Sequence, residues 1–438
     1  MTPVPQPPAA AGSRSPDAAD AVEDIARGFY GRLVACLASV SGDIAAAEDA
    51  LSEAFVAALR TWPERGVPDR PDSWIVTAAR RTLVDAARRR AVAQRSLHQL
   101  VVLLDGDRSS RTERCSAVDA SGVIPDKRLE LMFACTHPAI DRAMRAPLML
   151  QAVLGVDARR IGAAFLVPPA TMGQRLVRAK ARSRPWGCPS RCPIPRSFPN
   201  VASVLDAVSA AYGTGWDDTG TGPDAGSGGA GPLAEAIRCA GVLTELLPGS
   251  AEAHGLLSLL VHSNARHMAR RRAEGEFVPL DRQDVALWDA RDIHRAERHL
   301  AYASRLNRPK PQLGPYQLQA AIQSVHNRRA VTGTTDWSAI SALYDGLVSL
   351  TPTVGACVAR AKAVSATGGP RAAFALLDEL PPDLVQHYQP YWVVLAHCRM
   401  LIGDQVAATE AAQRAVLMTE DAPVRRHLQA QYRTTPPG

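Results

Sequence analysis

One stretch of the chain, PDSWIVTAARRTLVDAARRR, combines several arginines with helical spacing. The positions expected to pack inward are Ile75, Ala78, Ala79, Thr82 and Ala86. The opposite face has several cations and almost no carboxylate, and it consists of Thr77, Arg80, Arg81, Val84 and Arg88. Such a face can follow a phosphate backbone while the side chains between the cations reach bases. A basic helix alone is only suggestive, but these residue types favour binding of nucleic acid.

A second cationic segment, VDARRIGAAFLVPPATMGQRLVRAKARSR, has the pattern of a helix-turn-helix. It predicts a short helix around Ile161, a turn at 166–168, and a second helix that begins at Pro169, where proline suits the first turn. The inward positions of that helix are Met172, Leu176 and Ala179. The side chains left to face a major groove are Thr171, Gly173, Gln174, Arg175, Arg178, Lys180 and Arg182.

A third segment, GDIAAAEDALSEAFVAALRTW, is amphipathic and acidic. The predicted packing face consists of Ile44, Ala47, Leu51, Phe55 and Ala58. Asp49, Glu53 and Arg60 lie on the other side. A charged stripe of this kind is a docking surface for a partner or simply a solvated helix face, and the pattern alone leaves both open.

Other polar groups could serve an enzyme. The candidates are His254, His262, His267 and the pair Asp217 and Asp218. His262 and His267 are five residues apart, not at the four-residue spacing of a zinc-binding helix. Cys188 and Cys192 have no second pair at ligand spacing. Because no nucleophile, base and orienting group stand together, we expect no catalytic residue, no metal site and no cofactor.

Composition predicts an all-α protein of several domains. Apolar residues make up 46% of the 438 residues and aromatic residues only 5%, and Ala and Leu recur at three- and four-residue spacings. The formal net charge of +7 is compatible with a nucleic-acid partner. The start of the chain has no basic and then apolar leader, no apolar run is long enough to span a membrane, and the eight cysteines are scattered. A cytoplasmic protein is expected.

Composition shifts divide the chain into a tail, a linker and four helical blocks. The tail is rich in Pro, Ala and Ser and is expected to be disordered. In the last block, small residues around Ala396, Gly403 and Ala412 recur at the offsets of tetratricopeptide helix pairs, although a generic antiparallel helical bundle is the alternative. The predicted segments are the tail 1–20, a helical domain 21–92, a linker 93–126, a helix-turn-helix domain 127–186, a helical domain 187–305 and a tetratricopeptide-like helical domain 306–438.

Taken in order, four segments resemble an extracytoplasmic-function sigma factor of the sigma-70 family. They are AEDALSEAFVAALRTW, SWIVTAARRTLVDAARRR, LELMFACTHPAI and IGAAFLVPPATMGQRLVRAKARSR. Further along, WDARDIHRAERHL and RPKPQLGPYQLQAAIQSVH resemble the group with a C-terminal helical, tetratricopeptide-like extension. The resemblance covers the chain from about residue 22 and implies sigma region 2 at 21–92 and sigma region 4 at 127–186.

The resemblance implies partners and roles for the three helices. The partners are the RNA polymerase core, through its β′ clamp and β flap, promoter DNA, and a protein partner of the extension, with no membrane. The residues implied to bind the β′ clamp are Asp49, Glu53 and Phe55. Those implied to bind the minus-10 element, beside the loop 64–70, are Thr77, Arg80, Arg81, Val84 and Arg88. Those implied to bind the minus-35 element are Thr171, Gln174, Arg175, Arg178 and Lys180.

Three departures from the family pattern affect these expectations. Ser52 stands where the family often has Gln, Gly173 replaces a longer polar residue, and YGTGWDD, in the loop 212–231, replaces an aromatic Asn-Glu-Gly sequence. We expect a sigma factor that directs promoter recognition, DNA melting and initiation, modulated by its own extension. The alternatives are a helix-turn-helix regulator that acts without polymerase, and a helical scaffold or enzyme with a degenerate sigma-like region.

Overall fold

A computed structural model describes residues 18–41, 43–104, 127–138, 140–183, 200–216, 232–307 and 312–432. Apart from an isolated bridge between Arg271 and Phe277, these residues contain helices and loops with no β structure. The predicted all-α fold is therefore confirmed. The residues divide into two compact units, one within 1–155 and 176–199 and the other within 156–175 and 200–438.

The first unit is built around α1. Its helices are α1 (Ala18–Ser41), α2 (Ile44–Arg65), α3 (Pro71–Leu104), α4 (Lys127–Ala134) and α5 (Arg142–Leu154). Helix α1 contacts the four others, and Val34 and Leu37 on it are fully buried. A Cβ at Gly31 would lie 1.7 Å from the carbonyl oxygen of Val153. Only glycine lets α1 and α5 approach this closely.

Local chemistry explains where α2 and α3 begin and end. The Asp43 side chain accepts a hydrogen bond of 3.1 Å from the Ala46 amide and caps α2. Gly66, with a φ of 81°, follows its last turn. Proline at the first position of α3 suits a helix start, so the predicted start near Pro71 is confirmed.

Two short elements follow, α6 (Ala158–Ala164) and α7 (Pro169–Ser183). The Asp157 side chain caps α6 through the Arg160 amide at 3.0 Å. Leu166 in the turn has a φ of 54°, and the Val167 amide donates to the Gly162 carbonyl at 2.8 Å. A helix, a tight turn and a second helix that starts at Pro169 are thus present as predicted.

Helix α10 is the centre of the second unit. Five helices form this part: α8 (Val201–Trp216), α9 (Pro232–Leu246), α10 (Ala251–Asn264), α11 (Ala290–Leu306) and α12 (Pro315–Asn327). Residues 253–262 are all buried, and α10 contacts the four other helices. A Cβ at Gly255 would lie 2.8 Å from the Gln317 amide nitrogen, so glycine permits the close crossing with α12. A helix that is enclosed on all sides is typical of a domain core.

The C-terminal helices pack in succession. They are α13 (Arg329–Thr332), α14 (Trp337–Leu350), α15 (Val354–Thr367), α16 (Pro370–Asp378), α17 (Pro382–Val385), α18 (Gln389–Leu401), α19 (Gln405–Met418) and α20 (Ala422–Tyr432). Ala396 of α18 and Ala412 of α19 are fully buried in one cluster with Tyr432 of α20. Gly403, with a φ of 87°, lies between α18 and α19. Small residues therefore let these neighbouring helices approach.

Two predicted boundaries differ from the structure. Helix α1 already begins at Ala18, which is buried, so the predicted tail of 1–20 is too long by its last three residues. Helix α3 continues to Leu104, so residues 93–104 of the predicted linker are helical. No proline or glycine interrupts that stretch. Residues 1–17 and 105–126 lie outside the described residues.

Candidate nucleic-acid interface

Helix α3 presents one exposed cationic face. The five residues predicted to bind the minus-10 element are all exposed, at helical offsets of three, four, seven and eleven from the first, and they are Thr77, Arg80, Arg81, Val84 and Arg88. Ile75 and Ala79 are fully buried on the other side. Asp85 borders the face and lies 3.7 Å from Arg88, with both side chains exposed. Because Val84 is 47% exposed among the cations, the face offers an apolar contact as well as charge.

Helix α2 presents a mixed acidic and apolar face. Asp49 and Glu53 are exposed one turn apart. Phe55 was predicted both to pack inward and to join this surface, and its side chain is half-buried. The neighbouring Ala54 is buried in the packing face instead. Val56 is 47% exposed beside Glu53. Apolar residues within a charged face are typical of a protein-docking surface more than of a solvated one.

Helix α7 separates buried from exposed residues as its pattern predicts. Met172, Leu176 and Ala179 are buried. The exposed residues at predicted minus-35 positions are Thr171, Gln174, Arg175 and Arg178. Val177 is 69% exposed next to Arg178, and sequence reasoning overlooked it. An exposed apolar side chain on such a helix can meet a thymine methyl group.

Lys180 differs from the other predicted minus-35 residues. Its ammonium lies 2.6 Å from a carboxylate oxygen of Glu48 on α2, with side chains only 15% and 16% exposed. Lys180 lies four residues after Leu176, on the border of the buried stripe of Met172, Leu176 and Ala179, which explains why it faces inward. In this structure Lys180 is thus held by a carboxylate and not presented on the exposed face of α7.

Comparison with known proteins assigns the N-terminal domain. Residues 15–92 match the family model for sigma-70 region 2, and residues 200–304 match a family of unknown function, DUF6596. A curated relative, an uncharacterized protein of Rhizobium meliloti (strain 1021), is 34% identical over 378 residues, 86% of each chain. The chain belongs to the family of this protein and carries sigma-70 region 2. No solved structure matches the chain.

Sigma-70 region 2 contains two of the three surfaces. The matched residues 15–92 include the acidic face of α2 and the cationic face of α3. This domain supports a sigma-70 family factor. Helix α7 lies outside both matched ranges, so its DNA-binding role stays a prediction. The tetratricopeptide-like character of 306–438 stays a prediction as well.

The histidines of the DUF6596 region belong to a packed polar network. His262 on α10 is fully buried, and its Nδ1 lies 2.9 Å from the Asn327 amide nitrogen. Asn327 and Gln323 in turn accept hydrogen bonds from the buried Arg266 guanidinium. Burial, followed by the charge of Arg266, lowers the pKa of His262 to about 3. A ring held neutral by its surroundings and enclosed on α10 is better explained as core than as a general base.

The other enzyme candidates gain no support either. His254 packs against His299, with their Nδ1 atoms 3.0 Å apart, and among the described residues no three His, Cys, Asp or Glu side chains could hold a metal ion. Asp217 and Asp218, like Cys188 and Cys192, lie outside the described residues. No helix in the described part of the chain is both long and apolar enough to cross a membrane.

Proposed function

We propose that this protein is an extracytoplasmic-function sigma factor. It binds the RNA polymerase core, directs promoter recognition and melting, and is modulated by its own C-terminal extension. The observation that carries the proposal is the match to sigma-70 region 2, on a domain whose α3 exposes a cationic, carboxylate-poor face. A sigma factor acts by differential binding, because it favours the opened promoter over duplex DNA.

Polymerase docking is assigned to α2. Asp49 and Glu53 supply the charge that complements a basic helical surface of the β′ clamp, and Val56 supplies an apolar contact. Charge complementarity of this kind speeds association and fixes orientation, while apolar contacts contribute affinity. Phe55 is assigned a supporting role at the edge of this face. The β flap is the proposed contact of the domain that contains α7.

Minus-10 recognition is assigned to α3 and to the loop 64–70 before it. Extruding a base from the stack costs a few kcal/mol, which a pocket for the base and cations for the phosphates can offset. Arg80, Arg81 and Arg88 supply those cations, and Thr77 and Val84 lie between them on the same face. Helix α2 continues to Arg65, so 64–65 of this range are helical, and 66–70 connect α2 directly to the start of α3.

Minus-35 recognition is assigned to α7 within a helix-turn-helix. Arg175 and Arg178 are exposed at successive turns and can each form a bidentate contact with a guanine, worth about 1–3 kcal/mol of discrimination. Thr171 and Gln174 extend the same surface. Lys180 can join it only after leaving Glu48.

The extension is proposed to modulate activity through α6. This helix contacts α8, and Arg159 on it makes hydrogen bonds of 2.7 and 2.9 Å to the Glu420 carboxylate. Both contacts join the first helix of the proposed helix-turn-helix to the extension. A chain that ends at residue 199 is expected to differ from the full chain in promoter-directed transcription, and equal activity would argue against modulation.

Two substitutions test the assignment of surfaces. Glu53→Lys reverses the charge of the α2 face and is expected to abolish association with the polymerase core without changing helical content. Arg175→Ala is expected to weaken binding of the holoenzyme to promoter DNA while core binding stays intact. Core binding that survives Glu53→Lys, or an equal loss of both interactions on Arg175→Ala, contradicts the assignment.

A helix-turn-helix regulator that acts without polymerase is the second candidate. The exposed face of α7 favours it, because a cationic helix face of this kind can dock in the major groove of duplex DNA without polymerase. It leaves the acidic and apolar face of α2 without a partner. Binding of the full chain to operator DNA together with failure to bind polymerase core would support it.

A further inference from the structure

Helix α11, in the DUF6596 region, separates its charges by sign. Its two carboxylates flank the arginines and make contacts with neighbouring helices, where Asp292 accepts a hydrogen bond of 3.2 Å from Asn264. Glu297 accepts a hydrogen bond from Ser324 and lies 3.7 Å from the His262 ring, and its side chain is 42% exposed. Among the described residues, both acids are thus engaged by groups on other helices and form no ion pair with an arginine of α11.

The outer face of α11 carries only cationic and neutral side chains. The residues of this α11 stripe are Arg291, His294, Arg295, Arg298, Tyr302 and Arg305. All are exposed except Arg295, which is half-buried. Within the part of the chain that the structure describes, none of its arginines forms an ion pair, and three of them line an open hollow that Asp292 also borders. The carboxylate just before the helix, Asp289, accepts hydrogen bonds from the first amides of α11 as its cap.

The dimensions of the α11 stripe suit a nucleic-acid strand. From Arg291 to Arg305 the helix rises about 21 Å at ~1.5 Å per residue. That length corresponds to roughly six base-pair steps along the axis of a duplex, at ~3.4 Å each. Arginine forks bind phosphate oxygens in pairs, and they suit this partner better than lysines would.

The alternative partner, an acidic protein surface, is less well matched. The centre of a protein interface is usually apolar and well packed, with aromatic or aliphatic anchors. On α11 the exposed positions between the arginines are small, Ala301 and Ser304, and Tyr302 is 40% exposed near one end. The α2 face, with exposed Val56 and Leu59 among its charges, shows the contrast.

We propose that the α11 stripe binds the phosphate backbone of duplex DNA without reading its sequence. The contact adds a DNA-binding surface to the DUF6596 region, separate from the faces of α3 and α7. Phosphate contacts fix position and register but carry no direct base information. Each one also releases counterions, which makes its contribution measurable through salt.

The test uses the full chain and a labelled duplex of arbitrary sequence, with affinity measured by fluorescence anisotropy over a range of salt concentrations. Arg291→Gln combined with Arg298→Gln is expected to weaken binding at 0.1 M salt by at least about tenfold. The slope of log K against log salt should fall in magnitude by about 1.8, at ~0.9 per lost phosphate contact. The loss should be the same on a second, unrelated duplex.

Arg371→Gln combined with Arg426→Gln is the matched control, because it removes the same charge from two exposed arginines elsewhere in the unit. It is expected to leave the slope unchanged. A slope for the α11 variant equal to that of the control overturns the proposal. A loss of polymerase-core binding with unchanged DNA binding also overturns the proposal, because the α11 stripe would then bind an acidic protein surface. The DNA-binding readout needs no transcription and does not depend on the sigma-factor proposal.

Discussion

At the scale of single residues, two glycines near the α6–α7 turn have opposite surroundings. A Cβ at Gly162 would lie 2.6 Å from the Val167 carbonyl oxygen, so the turn needs glycine there. A Cβ at Gly173 would have no atom within 4 Å. The sequence identified Gly173 as a departure from the family pattern, but only the structure shows that the space around it is open.

Gly173→Ala is expected to stabilise the protein by about 0.5–1 kcal/mol, because alanine loses less backbone entropy in a helix and meets no obstacle here. The midpoint of urea unfolding followed by circular dichroism should rise. Gly162→Ala serves as the control and should lower the midpoint. A lower midpoint for Gly173→Ala would show that the site is not open.

Lys180 shows what the sequence could not supply. Its type and position on α7 predicted a DNA contact, but its partner Glu48 is 132 residues away in sequence. Helical spacing indicates that Lys180 borders the buried stripe. It does not reveal which acid from another helix will be there.

Glu48→Gln is expected to destabilise the first unit by roughly 1–3 kcal/mol, because the largely buried ammonium of Lys180 loses its counter-charge. Urea unfolding measures the change. Glu420→Gln is the control, since its pair with Arg159 is exposed and such pairs contribute little. The double variant Glu48→Gln/Lys180→Met should recover much of the stability that Glu48→Gln loses. Equal destabilisation by Glu48→Gln and Glu420→Gln would contradict a stabilising role of the buried pair.

At the scale of elements, the helices with clear boundaries were predictable. Pro71 and Pro169 start α3 and α7 as their sequences indicate. The apolar stripes of α2, α3 and α7 also predicted which side of each helix is exposed. The predicted end of α3 is too early, because 93–104 contains no residue that breaks a helix and the strongly polar sequence typical of a linker starts only at Asp105. The α11 stripe was overlooked because its carboxylates alternate with its arginines in sequence and separate only in space.

Arg81→Gln on the exposed face of α3 is expected to lower the fraction of open promoter complex several-fold, because one cation that offsets the cost of strand separation is lost. Permanganate reactivity of unpaired thymines in the reconstituted holoenzyme measures that fraction. Arg371→Gln, at an exposed arginine of α16, is the control and should leave it unchanged. If both variants behave alike, general charge and not the α3 face is responsible.

At the scale of the whole molecule, the extension has a buried polar centre that links its stability to pH. The pKa of His262 is lowered to about 3, mainly by burial, and burial also lowers the pKa of His299 and of His326 to about 4. The unfolded chain binds protons at these histidines below about pH 6.5 while the folded chain does not. Stability from these groups is therefore fully present above pH 6.5 and is lost as the pH falls towards 4.

Lowering the pH from 6.5 to 5 is expected to reduce the free energy of unfolding by about 1.6 kcal/mol through His262 alone, because the unfolded imidazole goes from half to almost fully protonated while the folded one stays neutral. Urea unfolding at the two pH values measures the change. His262→Gln should make the difference between the two pH values smaller, whatever its effect at pH 6.5. His387→Gln, at an exposed histidine, should leave the difference as it is. An unchanged pH dependence in His262→Gln would show that the buried His262 does not link stability to pH.

The proposed activity of the chain is promoter-specific initiation by RNA polymerase. Run-off transcription with purified, sigma-free core enzyme and the full chain, followed by mapping of transcript 5′ ends, measures this activity. We expect transcripts that begin at defined positions downstream of a shared promoter sequence and that disappear when Glu53→Lys replaces the wild-type chain. Core enzyme that gains no defined start from the wild-type chain would contradict the proposed activity.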